Sequence, residues 1–251
     1  MPSEKADAIV LRTVDFSETS LVVTLFTREF GKIGTLAKGG RRLKGPFESA
    51  LDVLARCRIV FLHKSSEALD LLTEAKLQRR FRPAGRDLFG LYAGYYVAEL
   101  LAGLTHEDDP HPELFDLADE TLEALSSGEL VARCVIRFEL GALRLLGHAP
   151  SLGACVECSK PVKSSARIAF GLLDGGVLCD KCRVGKRQII SVSAEALRTM
   201  AQLADAQNTS WQRMETGPRS LGEIRGVLNR YVSHQLGRKP RMQEHLGMMW
   251  K

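Results

Sequence analysis

The stretch AIVLRTVDFSETSLVVTLFTREFGKIGTLAK, residues 8–38, decides the fold. Val, Ile, Leu and Thr dominate three short runs in it, 8–13, 21–27 and 33–38, and such residues favour the pleated, half-buried surface of a strand. The polar Ser17-Glu18-Thr19 turn separates the first run from the second. The REFGK segment separates the second from the third as a hairpin loop ending in Gly31. Two further runs, 53–63 and 69–77, bring the expected strands to five within residues 1–80, with a brief helix expected over 47–51. That number of short strands suits a small Greek-key barrel. The OB-fold is one such barrel, with an oligonucleotide-binding face, and other small barrels have the same strand count.

Beyond the barrel the period of the apolar residues changes. Leu88, Leu91, Tyr92, Tyr95, Tyr96, Glu99 and Leu100 follow helical spacing. A second helix is expected from Pro112, with acids in its first turn, to Gly128, and a third over 129–146, closed by Gly147 and Pro150. Two more amphipathic helices are expected over 193–203 and 221–236, the latter stopped by Gly237, with a polar loop over 208–218 between them.

The 251 residues allow two or three compact units. The opening MPSEKADAIVL puts acids and polar groups where a secretory signal needs a basic start and an apolar stretch. The longest apolar run, 95–104, is too short for a bilayer and carries Glu99, so a cytoplasmic chain is expected. Charge is unevenly spread. Residues 1–80 carry +4, residues 81–150 carry −7 and residues 151–251 carry +8, within a total of +5. Two basic ends around an acidic middle assign any polyanion binding to the ends.

In a reducing compartment six cysteines are not expected to form a disulfide framework. Cys155-x-x-Cys158 and Cys179-x-x-Cys182, with 20 residues between the pairs, instead match a structural four-thiolate zinc site built from two knuckles. Such a site has no open position and activates no water. Lys160, Lys181, Arg183, Lys186 and Arg187 lie nearby and are expected to offset the thiolate charge. A redox dithiol needs one CxxC in a βαβ context, which is absent, and the isolated Cys57 and Cys134 read as core thiols. The expected class is therefore a multidomain α+β chain. It has a five-stranded OB-fold barrel over 1–80, a helical domain over 81–150, an inserted four-cysteine zinc site over 151–190, and the rest of the helical domain over 191–251.

Between Phe30 and Phe47 stand five basic residues, Lys32, Lys38, Arg41, Arg42 and Lys44, and no acid, interleaved by Gly31, Gly34, Gly39 and Gly40. Glycine lets a backbone approach a partner closely, and Lys and Arg supply charge for phosphates. By charge alone, such a loop is more often a solvated turn. The segment GKIGTLAKGGRRLKGPFESAL, residues 31–51, resembles the signature segment of the RecO family. The opening over 6–33, the helical middle, the placing of the CxxC pairs and the closing LNRYVSHQLGRKPRMQEHL are similar to that family as well. The run Arg41-Arg42-Leu43-Lys44-Gly45 departs from its pattern, in which a small residue often precedes a basic one and serine follows.

The resemblance implies a non-enzymatic recombination mediator in the cytoplasm, associated with the nucleoid. It would bind single- and double-stranded DNA, anneal complementary strands, and work with RecR to load RecA onto strands coated by single-strand-binding protein. It also implies that Lys38, Arg41 and Arg42 hold DNA, with Lys32 and Lys44 as flanking phosphate contacts. A basic surface in the C-terminal third would receive the acidic tail of single-strand-binding protein. Phe26, Phe30 and Phe47 have the chemistry to stack on bases, although a Phe beside a barrel strand is usually core. A zinc-ribbon transcription or RNA-binding factor is the alternative, since a basic barrel with four cysteines suits it too. A hydrolase is not expected: there is no His/Glu metal cluster, nucleophile elbow or phosphate-binding glycine loop, and the six histidines are scattered.

Overall fold

The apolar runs become five strands in the computed structural model: β1 (Ser3–Asp15), β2 (Leu21–Thr27), β3 (Gly31–Ala37), β4 (Arg56–Leu62) and β5 (Asp70–Arg79). The structure describes residues 3–42, 45–47, 50–64, 68–162 and 165–247. The strands hydrogen-bond in the closed order β1-β2-β3-β5-β4, with β4 returning to β1. All pairings are antiparallel except β3 with β5, where Thr35, Leu36 and Ala37 face Asp70, Leu71 and Leu72. β3 shows the strand period directly, since Gly31, Ile33, Thr35 and Ala37 are buried while Lys32, Gly34 and Leu36 are only partly so.

The barrel core packs Val10, Val23, Leu25, Ile33, Ile59, Phe61 and Leu72. Full burial of a side chain the size of Phe61 contributes roughly 2–3 kcal/mol, so Phe61→Ala is the single change most damaging to this core. The buried hydroxyl of Thr35 is satisfied by donating to the Val23 carbonyl at 3.1 Å.

β1 begins five residues before the expected run because the polar Ser3–Asp7 segment pairs with β4, Ser3 opposite Leu62, a partner that local composition does not reveal. Of the brief helix expected over 47–51, Glu48 and Ser49 lie outside the described residues. Its described residues lie in turns, with Ala50 N–H donating to the Phe47 carbonyl at 2.6 Å, and Phe47, Ala50 and Leu51 plug the barrel. Leu54 follows at φ 68°, and its N–H reaches the Val10 carbonyl at 2.7 Å, so core packing and a bond to β1 override helical spacing.

Contacts divide the chain into two units, Met1–Ser127 and Gly128–Lys251. The first includes two helices, α1 (Leu88–Leu104), capped by the Asp87 carboxylate accepting from Phe89 and Gly90 N–H, and α2 (Pro112–Ser127). α2 lies against β2, with the Phe26 and Phe115 rings 6.2 Å apart. Its acids meet barrel cations: Asp116 accepts twice from Arg28, at 2.9 and 3.0 Å, and Asp119 accepts from both Arg56 and Arg79.

The second unit contains α3 (Val131–Leu145), a three-stranded antiparallel sheet, and then α4 (Ala194–Ala204), α5 (Pro218–Leu236) and α6 (Met242–Gly247). The sheet strands, β6 (Arg167–Gly171), β7 (Gly176–Leu178) and β8 (Ile189–Ser193), in the order β7-β6-β8, have no counterpart in the sequence expectations, nor has α6. Gly237, at φ 68°, ends α5 as a left-handed cap, in keeping with its place after the last apolar turn. α3 and α5 are tied by a buried ion pair in which Arg225 donates to both Glu139 oxygens, at 2.9 and 2.6 Å. Among the described residues no helix is long and apolar enough to cross a membrane.

Candidate nucleic-acid interface and metal centre

The basic segment leaves β3 at Ala37 and turns at once. Gly39 adopts φ 77°, which favours glycine, and Gly40 and Arg42 N–H close the turn on the Ala37 and Gly39 carbonyls at 3.2 and 3.0 Å. The turn is fastened to the β1–β2 connection. Arg41 N–H donates to the Thr19 carbonyl at 3.1 Å, its guanidinium donates to the Ser17 carbonyl at 3.1 Å, and Asp15 lies 3.3 Å from the same nitrogen. The Arg41–Asp15 pair is solvated on both sides, and such pairs contribute only about 0–1 kcal/mol, so a phosphate can replace the carboxylate.

Lys38, Arg41 and Arg42 are all exposed, and Lys38 and Arg42 have no ion pair among the described residues. Lys32 is placed differently. Its ammonium donates to the Ala102 and Thr105 carbonyls at 2.8 and 2.6 Å, capping the C-terminal end of α1, and burial lowers its pKa. Nothing local signals this, because the acceptors lie 70 and 73 residues away. The next residue back, Gly31, cannot be replaced: at φ 70°, a Cβ there would stand 2.1 Å from the Asp109 carbonyl oxygen. Lys44 lies outside the described residues.

The aromatic residues considered for base stacking are used in packing. Phe26 and Phe47 are buried, and Phe30 stands edge-on to Phe61 with ring centroids 5.3 Å apart. An aromatic that does reach solvent is Phe16, in the β1–β2 connection, at 64% exposure. Its position between Asp15 and Ser17 in a polar turn was the available signal, since a turn residue has no core face to fill.

In the second unit the two CxxC pairs converge, the four sulfurs lying within 4.8 Å of one another, with Cys158 and Cys179 Sγ 4.0 Å apart. The cluster can hold a metal ion. Four sulfurs about 2.3 Å from one tetrahedral ion stand about 3.8 Å apart, so the set needs only slight contraction. Each pair sits on a tight turn. Cys155 N–H donates to the Lys160 carbonyl and Ser159 N–H to the Cys155 carbonyl, both at 2.8 Å, with Ser159 left-handed at φ 57°, while Arg183 N–H donates to the Cys179 carbonyl at 3.0 Å.

The unpredicted sheet brings the turns together, Val156 N–H reaching the Val177 carbonyl at 3.0 Å. Burial works against the Cys155 thiolate, but donors on Cys179, Cys158 and Glu157 outweigh it and draw the thiol down to about 6. Lys186 bridges Glu157 and Asp174 at 2.5 and 2.6 Å, and Arg183 pairs with Asp180 at 3.2 Å, so these two cations meet carboxylates in the cluster's surroundings. The remaining cysteines are core groups, and burial pushes the Cys57 and Cys134 thiols up to about 12.

Two family descriptions match the chain, Recombination protein O N terminal over residues 1–81 and Recombination protein O C terminal over residues 85–244. Among its relatives is a protein of Rhodopirellula baltica named DNA repair protein RecO, 44% identical, covering 95% of this chain and 97% of its own length. Proteins of the same name from Moorella thermoacetica and Anaeromyxobacter dehalogenans (strain 2CP-1) are 32% and 33% identical. They cover 94% and 95% of this chain, and 88% and 94% of their own lengths.

Proposed function

The chain belongs to the recombination protein O family, and from that premise we propose that it is a non-catalytic mediator of DNA repair whose barrel, an OB-fold in our reading, grips single- and double-stranded DNA by the phosphates. The observation that carries the proposal is the exposure of Lys38, Arg41 and Arg42 on one clamped turn at the end of β3. Phosphate contacts fix a strand without occupying its base edges, so two strands held this way remain free to pair, and annealing follows. Lys32, at the other end of β3, holds that strand to α1, and Lys44 continues the basic run as a flanking contact.

In this reading the protein acts in the cytoplasm at the nucleoid and works with RecR to load RecA onto strands coated by single-strand-binding protein. The acidic tail of that protein is received in the second unit. A groove of about 540 Å³ there is lined by Arg230, Arg238 and Lys239, with His234 beside them, and the first three are cations of the kind an acidic peptide needs. Cys155, Cys158, Cys179 and Cys182 hold one structural Zn2+, which ties the two knuckles together and, being fully ligated, supplies no catalytic water.

Strand annealing with and without cognate single-strand-binding protein tests the function. Wild-type protein should speed pairing of complementary oligonucleotides in both conditions, and failure to do so at low ionic strength overturns the reading. Metal analysis tests the centre: one zinc per chain is expected, with Cys155→Ser losing it while the affinity for a bare oligonucleotide is retained.

A further inference from the structure

The proposed grip on phosphates does not explain how the barrel would tell an unpaired strand from a duplex, and the turn beside the basic loop offers a means. Phe16 is the most exposed aromatic among the described residues. An isolated exposed apolar side chain needs no explanation, but Phe16 is not isolated. Val14, two residues earlier near the end of β1, is 41% exposed. Val14 is paired with Val22, and Val22 with Leu36, both only partly buried. The outward strip Val14–Val22–Leu36 is flanked by Arg12 at one side and by Lys38, one residue past β3, at the other, both exposed. It is thus an apolar surface edged by cations.

The strip is also held in a fixed relation to the loop. Phe16 N–H donates to the Ser20 carbonyl at 3.0 Å, and Ser20 N–H donates to the Ser17 hydroxyl at 3.2 Å, which sets the turn. Arg41 then binds that turn through the Thr19 and Ser17 carbonyls.

Resting on the proposed DNA-binding reading, we infer that Phe16 is a stacking platform for an unpaired nucleobase of a strand whose phosphates lie on Lys38, Arg41 and Arg42. Stacking engages the face of a base and leaves its pairing edge open, so a base held this way is still presented to a complementary strand. In a duplex the base faces are covered by their neighbours. Phe16 therefore adds affinity for single strands and none for duplex, and it does so without regard to sequence.

The test compares equilibrium binding of wild type, Phe16→Ala, Phe16→Trp and the triple variant Lys38→Ala/Arg41→Ala/Arg42→Ala to an oligothymidine and to a duplex. Phe16→Ala should weaken oligothymidine binding roughly tenfold, in the range of one lost aromatic–base stack, with duplex affinity and the salt slope unchanged, and Phe16→Trp should retain wild-type binding. Retained duplex affinity also shows that the loop is folded. Unchanged oligothymidine affinity in Phe16→Ala, or an equal loss on both ligands, overturns the inference. Failure of the underlying reading is separate: it would appear as an unaltered affinity and salt slope in the triple variant.

Discussion

Two groups of barrel cations differ in what faces them. Arg28, Arg56 and Arg79 point to α2, where Asp116 and Asp119 accept their hydrogen bonds and Glu123 adds a third acid 2.9 Å from Arg79. Lys38, Arg41 and Arg42 lie at the far end of β3, where the only described acid partner is the solvated Asp15. Both groups contribute equally to the formal charge of residues 1–80, but the first is faced by three acids of α2 and the second by one solvated acid, so the second is the more available to a polyanion. The acidic middle of the chain has a structural use here, because α2 supplies the acids that face one set of barrel cations.

The largest effect expected from this contrast is on DNA binding. Removing Lys38, Arg41 and Arg42 together should weaken single-strand affinity at low salt on the order of a hundredfold, taking about 1 kcal/mol for each exposed contact. It should also flatten the slope of log K against log salt by about 2, at about 0.7 per phosphate. Arg28→Ala should leave that slope unchanged, and equal slopes for the two variants would abolish the distinction.

A smaller effect is expected on stability. Asp119 accepts from two arginines and its side chain is 12% exposed. Asp119→Ala leaves both guanidinium groups without that acceptor and should cost about 2–3 kcal/mol in denaturant unfolding of the first unit, below the range for a fully buried pair because the arginines retain solvent. The salt slope for DNA should not move.

The smallest effect is a pH dependence. Arg28, through its hydrogen bond and charge, holds the Asp116 carboxyl below its ordinary 3.8, so folding favours the ionised form. The resulting stability is present above the ordinary value and is lost as pH falls through the lowered one. Acid unfolding of Asp116→Asn should therefore lack a component that wild type shows below about pH 4. Identical acid profiles would remove the pair from the account.

Local sequence was sufficient wherever neighbours in the chain make the structure. β2 spans the run read from its Val, Leu and Thr content, Gly237 ends α5, and the spacing of the two CxxC pairs foretold a cluster. The basic segment was equally plain, because a run of cations interleaved with glycine is a property of consecutive residues. Three matters were left to the tertiary structure. Lys32 belongs to the same run but caps α1 through acceptors 70 and 73 residues away. Phe26 and Phe47 became core while Phe16 became surface, and the three strands that join the cysteine turns arose from short segments with little periodicity of their own. The physical reason is common to all three. Strand and turn propensity act between near neighbours, whereas the fate of a charge or an aromatic ring depends on which distant backbone groups and apolar surfaces close around it.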